Sequence, residues 1–86
     1  MKVIKRDGRI EEFVIDKIRT SLARTSDEAK NPLTDGDLKV IEERIMRDLM
    51  ALKKDKIESR QIRDVILEKL NYCGFSGIAR KYESRK

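Results

Sequence analysis

The 86-residue chain has no histidine and no tryptophan, a single proline and a single cysteine. With one cysteine, no disulfide can form within the chain, and the thiolate and imidazole ligands of a structural zinc site are missing. Cys73 follows an apolar stripe, so we interpret it as a packed side chain rather than a nucleophile. These absences predict a fold that holds neither a disulfide nor its own metal ion.

Long apolar runs and catalytic signatures are absent as well. No run approaches the ~20 apolar residues of a membrane span, and the opening residues lack the apolar segment of a signal peptide. No phosphate-binding loop of the G-x-x-x-x-G-K-[ST] type occurs, and no serine or cysteine lies in a nucleophile signature. We therefore expect a cytoplasmic protein that contacts no membrane and is not an enzyme.

Charge, in contrast, is abundant, with 21 Lys and Arg against 16 Asp and Glu and a formal net charge of +5. A positive field favours phosphate-bearing partners, whether these are nucleotides, nucleic acid or an anionic surface. The apolar residues recur at regular spacing, which favours a folded chain over a disordered one. We expect a single domain over residues 1–86, with a thin core because the chain is short.

The first 15 residues predict a β-hairpin. Two apolar stretches flank the segment Arg6-Asp7-Gly8-Arg9, and Asp-Gly between such stretches is the strongest short hairpin signal. A two-residue turn at Asp-Gly would place Val3 and Glu12 on one face and Glu11 on the other. A bulge or a longer loop would change these faces, and the charges on both faces leave the register open.

Helical periodicity begins after the hairpin. The first helix starts at about Asp16 and is expected to fray over residues 25–28. A second helix follows a proline-containing loop, with Thr34 as its N-cap and Asp37 placed to complete a capping box. The apolar positions of this second helix step by three and four residues, so one side of it is expected to be buried.

The last third of the chain predicts a short strand and two more helices. Ile57 is a single strand residue that can pair with the hairpin, and Ser59 can cap the third helix. Gly74 and Gly77 indicate a stop and a restart before a short, basic fourth helix. The residues therefore indicate a hairpin and four helices, which is a mainly helical α+β class.

Several cations and hydroxyls lie near a glycine turn or a helix start, where an anion is favoured. Taken singly, each of these is explained as well by solvated surface, by capping or by core packing. They are Lys5 and Arg6 beside Gly8, Lys17 at the start of the first helix, Ser59 with Arg63, and Tyr82 with Lys86.

Together, these segments resemble the ATP-cone family over essentially the whole chain. The resemblance is carried by V-x-K-R-D-G-R at residues 3–9, Glu12-Phe13, Asp16-Lys17-Ile18, Ser59-Arg60-Gln61-Ile62 and the ending from Ile78 to Lys86. It implies a four-helix bundle capped by a small three-stranded mixed sheet that includes the hairpin. It also implies that ATP or dATP, carrying Mg²⁺, binds between the sheet and the helices.

In ribonucleotide reductases such a domain is an allosteric module, and in bacterial repressors of reductase genes it follows a zinc ribbon. This chain has neither the reductase barrel nor zinc ligands, so we expect a stand-alone or excised cone. The resemblance implies that it senses adenine nucleotides and signals through self-association or docking to a partner, for which a ribonucleotide reductase is the candidate.

The resemblance also implies roles for individual residues. Val14 stands where many members have Asp or Asn able to bond the adenine amino group, and Arg63 stands where some have histidine. The implied nucleotide-binding residues are Val3 at the adenine, Lys5 and Arg6 on the phosphates, Glu11 at the base edge, Lys17 near ribose and phosphate, Ser59 and Arg63 facing the phosphates, Tyr82 at an aromatic position, and Lys86 closing the site.

Two other functions remain open from the sequence. The net charge of +5 and the basic third and fourth helices also suit a small DNA-binding protein. However, acids are scattered through the same helices and interrupt a continuous basic face. Nucleic acid is therefore the weaker hypothesis for the partner. A bundle that has lost its ligand and acts only as a protein adaptor is the third.

Overall fold

The computed structural model describes residues 1–84 and contains three short strands and four helices. In chain order these are β1 (Lys2–Ile4), β2 (Ile10–Glu12), α1 (Ile15–Glu28), α2 (Asp35–Ala51), β3 (Lys56–Glu58), α3 (Ser59–Tyr72) and α4 (Ser76–Ser84). The predicted fold class, a helical bundle with a small mixed sheet, is confirmed. Within residues 1–84 no helix combines the length and the apolar character that crossing a membrane requires.

The sheet has the order β2-β1-β3, so the first strand of the chain lies in the middle. β1 pairs with β2 antiparallel and with β3 parallel, and Val3 lies beside Glu11 on one side and Ile57 on the other. Val3 and Ile57 are buried because this face of the sheet covers the helices. The opposite face, which carries Lys2 and Glu12, points to solvent.

The hairpin register differs from that of a two-residue turn. The amide of Lys5 donates to the carbonyl of Arg9 at 2.7 Å, and the amide of Gly8 donates to the carbonyl of Lys5 at 2.9 Å. The loop therefore has three residues, and Gly8 adopts a φ of 91°, as a left-handed residue closing such a loop requires. Asp7 supports this turn because its carboxylate accepts a hydrogen bond from the amide of Arg9 at 3.1 Å. A two-residue turn is therefore the wrong interpretation.

The four helices form a closed bundle in which α1 packs on α2, α2 on α3, α3 on α4, and α4 on α1. One hydrophobic cluster fills the centre, as expected for a chain this short. Its most deeply buried apolar side chains are Leu22, Ile41, Ile45, Leu49, Ile57, Ile66, Leu70 and Ile78.

Helix α1 continues through Glu28, so the expected fraying over residues 25–28 is wrong. Thr25 and Ser26 are buried inside the bundle, and their hydroxyls are satisfied locally. Thr25 Oγ1 donates to the carbonyl of Ser21 at 2.8 Å, and Ser26 Oγ accepts from the amide of Leu33 at 3.2 Å. The second of these bonds ties the following loop to the helix, which holds the last turn in place.

The two predicted helix caps have different outcomes. Thr34 and Asp37 form the expected capping box at the start of α2, with Thr34 Oγ1 accepting from the amide of Asp37 at 3.0 Å. Ser59, in contrast, does not cap α3, because it is the first residue of that helix and Glu58 precedes it as the cap residue. The reason is that β3 runs directly into α3 without a loop.

Two glycines near the junction of α3 and α4 differ in backbone conformation, and this difference can be tested by substitution. Gly74 ends α3 with a φ of 87°, whereas Gly77 lies in the first turn of α4 with an ordinary φ. A Cβ added at either position would meet no atom within 4 Å, so only the backbone conformation distinguishes them. Gly74→Ala is expected to lower the free energy of unfolding by about 1–2 kcal/mol.

Gly77→Ala is the matched control and is expected to leave stability unchanged or raise it by up to about 1 kcal/mol, because alanine favours a helix. Urea denaturation followed by circular dichroism measures both variants. Equal effects of the two substitutions would contradict the assigned backbone at Gly74.

Candidate functional site

A cavity of about 400 Å³ lies between the inner face of the sheet and the helices α1, α3 and α4. All the residues that the sequence singled out, apart from Lys86, line this cavity although they come from six different elements and loops. They are Val3, Lys5, Arg6, Glu11, Lys17, Ser59, Arg63 and Tyr82. Lys86 lies outside the described residues.

One end of the cavity carries a concentration of cations. Lys5, Arg6, Ser59 and Arg63 line it and also line a second cavity, of about 810 Å³, on their other side. We call these four residues the cationic wall. The hairpin supplies two of them and the first two turns of α3 supply the others, because β3 holds the start of α3 beside β1. Ser59 and Arg63 share one face of α3 because they stand four residues apart.

The hairpin register decides which acid faces this wall. Glu11 lies beside Val3 on the inner face, and its carboxylate forms an ion pair with Lys5 at 3.6 Å. Glu12 also borders the cavity, but its carboxylate hydrogen bonds with the ammonium of Lys2 on the outer face, and this contact lowers the pKa of Glu12. Of the two acids that the sequence left open, Glu11 is the inner one.

Arg63 connects the cavity with α4. Its guanidinium donates a hydrogen bond to the backbone carbonyl of Glu83, near the end of that helix. Tyr82, the neighbouring residue, is half-buried and packs against the central cluster while lining the cavity. A change in the partner of Arg63 therefore acts directly on the last turn of α4.

The rest of the cavity is mostly apolar. Phe13 and Val14 contribute from just before α1, Ile18 from its first turn, and Ile62 and Ile66 from α3. The sequence analysis missed these residues as site residues, apart from Val14, because their helical spacing is explained by the core alone. Ile18, Ile62 and Ile66 have both roles, since they are buried and also form the floor of the cavity.

Ser21 is a further lining residue that the sequence analysis missed. The signal that would have found it is its position one helical turn after Lys17, on the side of α1 that also carries Ile18.

Apolar walls ending at a group of cations suit a ligand with a flat apolar part and an anionic tail. Within residues 1–84 no group of three or more acidic or cysteine side chains is placed to hold a metal ion.

The sequence signature of the family described as "ATP cone domain" matches residues 1–85. The chain belongs to the ATP-cone family. An ATP cone is a regulatory domain that senses nucleotides and is not an enzyme, and ATP and dATP are the ligands of such domains in general. This agrees with the composition of the cavity, in which a group of cations adjoins a largely apolar surface.

Curated relatives of this ATP cone include proteins named transcriptional repressor NrdR. The one from Nitrosomonas europaea is 33% identical over 95% of this chain and 54% of its own length. The one from Halalkalibacterium halodurans is 29% identical over 94% of this chain and 56% of its own, and one from Streptococcus pneumoniae is 26% identical over 94% and 54%. The chain thus spans about half the length of these relatives.

The ion pair between Lys5 and Glu11 leads to a test of the cationic wall. Glu11→Gln is expected to strengthen binding of inorganic tripolyphosphate about two- to fivefold, because the carboxylate no longer competes for Lys5. The effect is small because both side chains are more than one-third exposed, and added salt is expected to reduce it. Isothermal titration calorimetry measures the affinities.

Glu12→Gln is the matched control, because it removes the same charge from the next residue but from a carboxylate paired with Lys2. It is expected to change tripolyphosphate binding by less than twofold. If both variants strengthen binding equally, net charge and not the inner position of Glu11 determines the affinity.

Proposed function

We propose that this ATP cone binds ATP or dATP in the cavity between the sheet and α1, α3 and α4, and that occupancy regulates self-association or docking to a partner protein. In this proposal residues 1–86 act as one domain in the cytoplasm, without catalysis of their own. The observation that carries the proposal is that one cavity joins the cationic wall to an apolar surface.

The phosphates occupy the cationic wall in this proposal. Lys5 and Arg6 reach the phosphates from the hairpin, and Ser59 and Arg63 reach them from α3. Charge-assisted hydrogen bonds of this kind are the strong ones, and the start of α3 adds the positive end of a helix. Mg²⁺ enters bound to the phosphates, which fits a described chain without a metal-holding cluster of its own.

The nucleoside lies against the apolar part of the cavity. Val3 packs on the base, Tyr82 offers its ring, Glu11 lies near the base edge, and Lys17 lies near the ribose. Burial of an aromatic base against such side chains is favourable because it removes apolar surface from water. The proposal places Lys86 at the C-terminal side of the ligand, on the resemblance to the family alone.

The signal leaves the site through Arg63. Phosphates compete with the carbonyl of Glu83 for this guanidinium, so binding loosens the contact that holds the last turn of α4. The exposed surface at that end of α4 then changes for a second copy or for a partner such as a ribonucleotide reductase. Relatives that are transcriptional repressors are consistent with a regulatory readout of this kind.

Binding is tested by titrating the chain with ATP, dATP and GTP. ATP or dATP at 100 times its dissociation constant is expected to stabilise the fold by about 2.7 kcal/mol in thermal denaturation. Lys5→Ala and Lys17→Ala are expected to weaken binding about tenfold or more, because each removes a charge at the ligand. Lys39→Ala, which removes an exposed lysine from α2, is the control and is expected to bind as the wild type does.

The same titrations can also contradict the proposal. An absence of heat and of thermal stabilisation with every adenine nucleotide would contradict the proposal. Direct DNA binding is the alternative, and the net charge of +5 favours it. Retention of duplex DNA with a steep salt dependence, together with no response to ATP, would support that alternative.

The signalling step is tested by hydrogen exchange in α4. Saturating ATP is expected to speed amide exchange in the last turn of α4, because Arg63 leaves the carbonyl of Glu83. Arg63→Lys keeps the charge but loses the guanidinium fork, so its α4 exchange is expected to respond less to saturating ATP. Unchanged exchange in the wild-type α4 would contradict this route, and light scattering reports whether assembly follows.

A further inference from the structure

The apolar part of the cavity offers few polar partners to a nucleotide's base. Val14, half-exposed at the N-cap of α1, has no polar atom in its side chain and Phe13 beside it has none either. The cationic wall lies at the end shared with the second cavity, and its hydroxyl, that of Ser59, belongs to that end. Glu11, on the inner face of the sheet, is paired with Lys5 at 3.6 Å, so a base held away from the phosphates needs a further polar partner.

Ser21 lies where such a partner is needed. It lines the first cavity but not the second, as Val14 and Ile18 do, whereas the four residues of the cationic wall line both. Val14, Ile18 and Ser21 are spaced by four and three residues, which places them in one stripe along α1. At ~1.5 Å per residue this stripe runs about 10 Å from Val14 to Ser21.

The hydroxyl of Ser21 also differs from its neighbours in its bonding. Thr25 and Ser26, further along α1, donate their hydroxyl hydrogens to carbonyls of the helix. Within residues 1–84, Ser21 Oγ forms no such bond, and the side chain is half-buried. A half-buried hydroxyl that faces a cavity and has no partner among the described residues is available to a ligand.

We propose that the Ser21 hydroxyl binds the polar edge of the nucleotide's base and supplies the base contact that Val14 cannot. This inference rests on the proposed function, because it assumes that the cavity holds a nucleotide. A serine hydroxyl has one donor hydrogen and two acceptor lone pairs, so it can accept from an exocyclic amino group or donate to a ring nitrogen. Ser21 is then a base-binding residue of this site.

Ser21→Ala removes only the hydroxyl and keeps α1 intact, because alanine is the better helix former. It is expected to weaken binding of ATP and dATP equally, by about five- to tenfold, as the loss of one hydrogen bond predicts. It is expected to leave inorganic tripolyphosphate binding unchanged, because the phosphates do not touch Ser21. Isothermal titration of the 86-residue chain with the three ligands measures these affinities.

Thr20→Ala is the matched control, because it removes a hydroxyl from the exposed side of the same helix. It is expected to bind all three ligands as the wild type does, and both variants are expected to keep the wild-type melting temperature within a few degrees in the absence of ligand.

Three results would overturn the inference. If Ser21→Ala binds ATP with wild-type affinity, Ser21 does not contact the base. If the variant loses equal affinity for ATP and for tripolyphosphate, Ser21 contacts the phosphates. A loss confined to ATP would assign it to the ribose 2′-hydroxyl, which dATP lacks. A wild-type chain that binds tripolyphosphate but no nucleotide overturns the proposed function and this inference together, whereas the first three results leave the proposed function standing.

Discussion

The register of the hairpin is the constraint on which the site depends. Gly8 closes a three-residue loop with a positive φ, and the bond between Lys5 and Arg9 holds the strands in that pairing. A shift of one residue would move every side chain of β2 to the other face. Glu11 would then leave Lys5 and face solvent, and Glu12 would take its place. The length of the hairpin loop thus determines which acid faces the cavity.

The short strand β3 has a second positioning role. It is three residues long, yet its pairing with β1 brings the start of α3 beside the hairpin. Because no loop separates β3 from α3, Ser59 is the first helical residue and Arg63 follows one turn later. Both residues thereby join Lys5 and Arg6, which are more than fifty positions earlier in the chain. The cationic wall exists only because a parallel pairing closes this distance.

Outside the cavity, many charged side chains of the helices are paired with an opposite charge or an aromatic ring. Lys69 on α3 lies 2.7 Å from Asp48 on α2, and this carboxylate raises the pKa of Lys69. Arg19 lies 3.6 Å from Glu42 between α1 and α2. Arg44 stacks over the exposed ring of Tyr72 at 5.0 Å. Such contacts pair opposite charges across the helices, whereas cations outnumber acids in the cavity, where Lys5, Arg6, Lys17 and Arg63 line the same space as Glu11 and Glu12.

The amino-acid pattern was sufficient for the elements, and the resemblance to the family named eight of the residues that line the cavity. Helical spacing, the capping box at Thr34 and the Asp-Gly turn are local signals, because propensity, capping and turn geometry depend on neighbours within a few residues. What local signals do not contain is the loop length at Gly8, the end of α1 at Glu28 and the position of Ser21 on the cavity. These depend on the bundle: the buried Ser26 bonds the following loop and holds the last turn of α1, and packing of α1 against α2 and α4 places Ser21 on the cavity.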